Sequence, residues 1–105
     1  MKKVVWSEWA NNRVAEIAEM VAEYVGEQSA VRYISEFNRL IDLAAYNPLM
    51  GKIGVVPNTR ELYPINGKYR IVYRIIGDEL RILTVKASQQ LHTAESTKYE
   101  AEYQD

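Results

Sequence analysis

Two dipeptides that are typical of tight hairpin turns constrain the fold of this chain more than any other feature. Asn66-Gly67 and Gly77-Asp78 each lie between stretches rich in β-branched and aromatic residues. Such dipeptides favour two-residue loops between antiparallel strands. They therefore predict a three-stranded antiparallel meander. Its strands are expected at about Arg60–Ile65, Lys68–Ile76 and Glu79–Lys86.

Upstream of the meander, apolar residues recur with the period of a helix. Ser7 is a favoured N-cap and Gly26 is typical of the position just after a helix end, so a first helix is predicted between them. A second helix is predicted from about Ser29 until Pro48 stops it. A β-branched run at Lys2–Trp6 predicts an N-terminal strand. The expected fold class is α+β, with an N-terminal strand, an antiparallel helix hairpin and then the meander.

Length and composition indicate a single domain. The chain has 105 residues, of which 48% are hydrophobic, enough for one core. It has no cysteine, which excludes disulfides and thiolate chemistry, and no apolar stretch of signal or membrane-span length. We therefore expect a cytoplasmic protein with no membrane contact, a domain over residues 1–91 and a polar tail over 92–105.

The tight turns also predict which side chains share a face of the meander, because a two-residue loop fixes the register. The face expected to pack on the helices carries Leu62, Tyr69, Ile71, Tyr73, Ile75, Leu80 and Ile82. The other face mixes apolar with charged residues, namely Glu61, Tyr63, Lys68, Arg70, Val72, Arg74, Arg81, Leu83 and Val85. The two helices can cover only one face. The second is therefore predicted to be covered by the tail, a partner protein or an anionic ligand.

Charge is distributed unevenly along the sequence. The segment 52–86 has seven basic and three acidic residues, a net charge of +4, whereas residues 1–51 carry −2 and the last eleven −3. A basic middle between acidic ends suggests a surface for an anion or an acidic partner, and ordinary solvated charge is the alternative.

The order of elements and three motifs resemble the RelE/ParE superfamily of bacterial type II toxins, from Lys3 to about Val85. The motifs are Val56-Pro57-Asn58-Thr59-Arg60-Glu61-Leu62, Tyr69-Arg70-Ile71-Val72-Tyr73-Arg74 and Leu80-Arg81-Ile82-Leu83. The resemblance implies a growth inhibitor that is neutralised by a cognate antitoxin, whose C-terminal segment wraps the toxin. It also implies that toxin and antitoxin can form higher-order assemblies.

Two mechanisms occur among the proteins that this chain resembles. RelE-like toxins cut mRNA in the ribosomal A site, and on that reading Arg70, Arg74 and Arg81 would surround the substrate backbone. ParE-like toxins are not nucleases and inhibit DNA gyrase. Where RelE-like members carry lysines this chain has Glu61 and Tyr63, and no histidine or arginine follows at the matching positions after the last strand. The incomplete nuclease set favours a non-enzymatic, ParE-like toxin over its alternatives, an mRNA endoribonuclease and an inactive binding module.

Nine residues are predicted to bind the antitoxin or target: Trp9, Arg60, Tyr63, Arg70, Val72, Arg74, Arg81, Leu83 and Val85. Several have a structural alternative. An ion-pair cluster with Glu61 would explain both Arg70 and Arg74, and Tyr63 could shield an edge strand instead of stacking on a base. Trp9 could pack between the helices, and His92 is more typical of a solvated tail than of a catalytic base. One histidine and no cysteine predict no metal site, and no cofactor is expected.

Overall fold

The computed structural model describes residues 1–89, and the predicted tail with His92 lies outside the described residues. Two helices and five strands follow one another along the chain. They are β1 (Lys3–Trp6), α1 (Glu8–Tyr24), α2 (Glu27–Tyr46), β2 (Lys52–Ile53), β3 (Thr59–Leu62), β4 (Tyr69–Ile76) and β5 (Glu79–Ala87). The α+β fold class is confirmed. The strands form one mixed sheet in the order β1-β5-β4-β3-β2, with β1 parallel to β5 and the other pairs antiparallel.

The helix hairpin forms where the capping residues predict it. The Ser7 hydroxyl accepts a hydrogen bond from the Ala10 N–H at 3.0 Å and so satisfies one of the free amides at the start of α1. Gly26 separates the helices and has a φ of 134°, a backbone conformation that residues other than glycine rarely adopt. Gly26 is also the N-cap of α2, so this helix begins at Glu27, two residues before the expected Ser29.

The first predicted turn is present, but its leading strand is shorter than expected. The Lys68 N–H donates to the Ile65 carbonyl at 3.0 Å, and Asn66 and Gly67 have φ values of 53° and 82°, as a tight hairpin turn requires. Strand β3 nevertheless ends at Leu62, because Pro64 has no N–H for a ladder bond. The register is the predicted one, with Leu62 opposite Ile71.

A β-bulge corrects one part of the predicted sheet. Tyr73 lies opposite Ile82 and Val72 lies opposite Thr84, so Leu83 is an extra residue in β5. Beyond it the alternation of side chains is reversed. Val85, which was expected on the face away from the helices, is instead fully buried in the core, and that prediction was wrong.

The core lies between the sheet and the helix hairpin. All seven predicted core-face residues belong to it or pack against it, together with Ile17, Phe37 and Ile41 from the helices. The Tyr73 hydroxyl donates to the Pro48 carbonyl at 2.6 Å and accepts from the Gly51 N–H at 3.1 Å. A Cβ at Gly51 would lie 2.7 Å from this hydroxyl, so the close approach requires glycine. Within residues 1–89, no helix is both long and apolar enough to cross a membrane.

Candidate partner-binding face

The side of the sheet turned away from the helices carries a group of cations, which we call the cationic face. Arg70 lies opposite Lys86 and Arg74 lies opposite Arg81, so two like-charge pairs face each other across β4 and β5. Val72 and Thr84 lie between these pairs and are buried. Like charges directly opposite each other destabilise a hairpin. Negative charge close to these pairs would therefore stabilise the hairpin.

Glu61 supplies part of that negative charge. Its carboxylate is only 3% exposed and accepts hydrogen bonds from the Tyr63 hydroxyl at 2.5 Å, from Arg70 Nη1 at 3.3 Å and from the Val55 N–H at 3.3 Å. Arg70 Nη2 also donates to the Ser88 carbonyl at 3.2 Å. The predicted ion-pair cluster thus accounts for Arg70. It does not include Arg74.

Tyr63 is held in place by the same cluster. Lys52 Nζ lies 5.6 Å and Arg70 Cζ 5.7 Å from the centre of its ring, distances at which a cation interacts with an aromatic face. Burial and the hydrogen bond to Glu61 raise the pKa of Tyr63 above its ordinary value. The contacts of this ring favour the edge-shielding interpretation over base stacking.

Arg74 and Arg81 differ from Arg70 in their partners. Arg81 Nε donates to Glu79 at 3.0 Å, and the Arg81 side chain is 39% exposed. Within residues 1–89, Arg74 forms no ion pair or side-chain hydrogen bond, and its buried Nε has no acceptor. The Nε of Arg70 also lacks an acceptor, but both Nη atoms of Arg70 are bonded. Arg74 is therefore a cation of this face that residues 1–89 leave without a charge partner.

The other predicted binding residues do not join these cations at the surface. Arg60 points to the opposite side of the sheet, where Nη1 donates to the Leu49 and Gly51 carbonyls at 3.0 and 2.8 Å. Trp9 is half-buried on α1, on the helix side of the sheet. Val72 is fully buried and Leu83 is 7% exposed, so the expected apolar centre is closed to solvent.

Sequence reasoning missed two members of the cationic face. Thr84 and Lys86 occupy it only because the bulge at Leu83 reverses the alternation of β5. The sequence contains one weak signal for this reversal, since Thr84-Val85-Lys86 alternates polar and apolar residues in the new phase. No cluster of three or more histidine or acidic side chains is placed to bind a metal in the part of the chain that the structure describes.

Two solved structures are similar in fold to this mixed sheet with a helix hairpin on one side. The first is the chromosomal ParDE toxin–antitoxin system from P. aeruginosa, with a TM-score of 0.75 and 19% identity over 85% of this chain and 98% of that one. The second is the E. coli RelBE toxin–antitoxin complex, with a TM-score of 0.60 and 13% identity over 86% of this chain and 100% of the other.

Sequence comparison gives the family of this chain. The family model described as ParE toxin of type II toxin-antitoxin system, parDE, matches residues 4–91. A protein of Sinorhizobium fredii with the name "Putative toxin Y4kP" is 33% identical over 89 residues, which cover 85% of this chain and 91% of that protein. The chain therefore belongs to the ParE toxin family of type II toxin–antitoxin systems.

Proposed function

We propose that this ParE-family toxin arrests growth by inhibiting DNA gyrase, without cutting mRNA, and that a cognate antitoxin neutralises it in the cytoplasm. The two solved structures of similar fold are toxin–antitoxin systems, which supports an antitoxin partner for this chain. The choice of gyrase over mRNA is supported by the chemistry of the cationic face.

The ion pair of buried Glu61 with Arg70 is the observation that favours a non-nucleolytic toxin over an mRNA endoribonuclease. Cleavage of an RNA backbone needs a group that activates the 2′-hydroxyl and a cation that stabilises charge on the phosphate. By its resemblance to RelE-like toxins, this chain has Glu61 where a lysine would be expected, and the buried Glu61 carboxylate binds Arg70 at 3.3 Å. The charge of the strand arginine is thus already compensated within the chain.

The function can be tested with purified toxin in two assays run side by side. One follows supercoiling of relaxed plasmid by gyrase, and the other follows mRNA in a cell-free translation reaction by primer extension. We expect supercoiling to stop while the mRNA stays intact. The variant Arg39→Gln is a suitable control, because Arg39 is exposed on α2 and pairs with Glu36 on the same helix.

Two outcomes would contradict the proposal. Cleavage of mRNA at the ribosomal A site with unchanged supercoiling would identify the chain as an endoribonuclease. No effect in either assay, from protein that still binds its antitoxin, would identify it as an inactive binding module.

A further inference from the structure

The half of the cationic face nearest the β4–β5 turn is partly exposed and contains both charged and apolar residues. Arg74 and Arg81 lie opposite each other there, and Ile76, two residues further along β4 on the same face, is 44% exposed. Val55 is 54% exposed, and its N–H bonds to Glu61, which places the loop before β3 over this side of the sheet. The patch therefore combines two guanidinium groups with the exposed apolar residue Ile76, and exposed Val55 lies on the neighbouring loop.

The Arg74 guanidinium of this patch could accommodate a hydrogen-bond acceptor from a partner. Among residues 1–89 its buried Nε–H has no partner, and a buried donor without an acceptor carries a desolvation cost that most native structures avoid. The like-charge pairing with Arg81 adds repulsion, and Glu79 forms its ion pair with Arg81 and not with Arg74. A carboxylate placed between the two guanidinium groups would relieve both costs at once.

The neighbours of the two arginines favour a protein ligand over a nucleic acid. Exposed Ile76 and Val55 are suited to apolar side chains of a partner and offer nothing to a sugar–phosphate backbone. Base stacking would need an accessible aromatic ring, and Tyr63 lies beside Lys52 and Arg70 at the other end of the face. Arginines flanked by apolar contacts are common at the centres of protein interfaces.

We propose that Arg74 and Arg81, with Ile76 and Val55, form the docking site for an acidic–hydrophobic segment of the antitoxin, whose carboxylate binds between the two guanidinium groups. This inference rests on the proposed function, in which an antitoxin neutralises the chain. It assigns Arg74 a direct role in partner binding and Arg70 a structural one, although both lie on the same face of β4.

A binding experiment with a defined probe tests the site itself. The probe is a short synthetic peptide with one glutamate between two leucines, and its matched control has glutamine in place of glutamate. The side-chain Nε–Hε signals of the arginines, followed by NMR in the full chain, report directly on the bond that is proposed. We expect the glutamate peptide to shift the Arg74 signal in a saturable manner and the Arg39 signal to stay unchanged.

Variants of Arg74 then distinguish the contribution of its positive charge from that of its Nε–H hydrogen bond. Arg74→Gln should weaken peptide binding about tenfold to a hundredfold, the loss expected for a hydrogen bond to a charged group. Arg74→Lys keeps the charge but loses the Nε–H, and should recover only part of the affinity. Ile76→Ser should also weaken binding, whereas Arg39→Gln should leave it unchanged.

Three results would overturn the proposal. Equal binding of the glutamate and glutamine peptides would remove the carboxylate from the site. A single-stranded RNA that shifts the Arg74 signal when the peptide does not would assign the site to nucleic acid. An Arg74 signal that ignores the peptide but moves on Glu100→Gln with Glu102→Gln would assign it to the acidic C-terminal residues of the chain.

The antitoxin itself separates failure of the site from failure of the function. If the antitoxin binds and neutralises Arg74→Gln as tightly as the unaltered toxin, the docking site is wrong and the toxin function stands. If the unaltered chain inhibits neither gyrase nor growth, the proposed function fails whatever the peptides do.

Discussion

At the scale of single residues, two arginines on the same face of β4 differ in whether they have an acidic partner. Glu61 lies opposite Val72, midway between Arg70 and Arg74, so the register alone allows it to pair with either arginine. Tyr63 donates to the same Glu61 oxygen that Arg70 contacts, and the ring of Tyr63 lies beside Arg70. These contacts fix the carboxylate on Arg70 and leave Arg74 for another partner.

The Glu61–Arg70 pair should matter for stability. Glu61→Gln is expected to lower the free energy of unfolding by about 3–5 kcal/mol, because it leaves the largely buried Arg70 without its charge partner. Urea denaturation followed by circular dichroism measures this loss. Glu36→Gln, which breaks an exposed pair with Arg39, is the matched control and should change the stability far less, because solvent screens that pair. Similar losses for the two variants would contradict the assignment of Arg70 as structural.

The Tyr73 hydroxyl should make the protein sensitive to alkali. Burial raises the pKa of Tyr73 above its ordinary value of 10.0, although the bond from Gly51 acts in the opposite direction. The unfolded chain therefore releases this proton at a lower pH than the folded chain does, so stability should fall as the pH rises through about 10.

The variant Tyr73→Phe tests that interpretation. At neutral pH it should lower the free energy of unfolding by about 1–3 kcal/mol, because the Pro48 carbonyl and the Gly51 N–H lose their buried partner. Between about pH 9 and pH 11 it should lose less further stability than the unaltered protein. Tyr46→Phe, at an exposed position on α2, is the control. An equally steep alkaline decline in Tyr73→Phe would show that other tyrosines cause it.

At the scale of elements, the bulge in β5 decides which residues reach the cationic face. Leu83 is the extra residue between the pairs Tyr73–Ile82 and Val72–Thr84. Deletion of Leu83 would join these pairs into a regular ladder and keep Val85 opposite Ile71 in the core. Deletion of Val72 from β4 would instead increase the mismatch between the strands to two residues.

We therefore expect the two deletions to behave differently. The Leu83 deletion should keep the fold and lose about 1.5–3 kcal/mol, the contribution of one buried leucine. The Val72 deletion should prevent cooperative unfolding. Nuclear Overhauser contacts between Ile71 and Val85, with urea denaturation, measure both effects. If the Leu83 deletion removed the contacts between Ile71 and Val85, the bulge assignment would be wrong.

The same elements show what the sequence could predict and why. Asn66-Gly67 and Gly77-Asp78 determine local backbone geometry, and with the register they identified the core face correctly up to the bulge, including Tyr73 and Ile82 but not Val85. The bulge could not be predicted, because Leu83 is as apolar as its neighbours and its position depends on packing across the sheet. Strand β2 has only two residues and no periodicity, and the parallel pairing of β1 with β5 is a long-range contact without a local signal.

At the scale of the whole molecule, charge is separated between the two layers. The helix hairpin and its caps, residues 7–47, carry a net charge of −4, whereas segment 52–86, which forms most of the sheet, carries +4. Such a separation steers an approaching charged partner toward one side of a protein. An acidic antitoxin segment would thus be drawn to the sheet and repelled by the helices, which agrees with the docking site proposed at Arg74 and Arg81.

The central claim is that this chain is a growth-inhibiting toxin held by an antitoxin, and growth itself tests that claim most directly. The measurement compares bacterial growth after induction of the chain alone with growth after induction of the chain together with its antitoxin, at matched protein levels. The account predicts arrest in the first culture and its relief in the second, with the two proteins purifying as one complex. Normal growth with the chain alone, at a level confirmed by immunoblot, would contradict it.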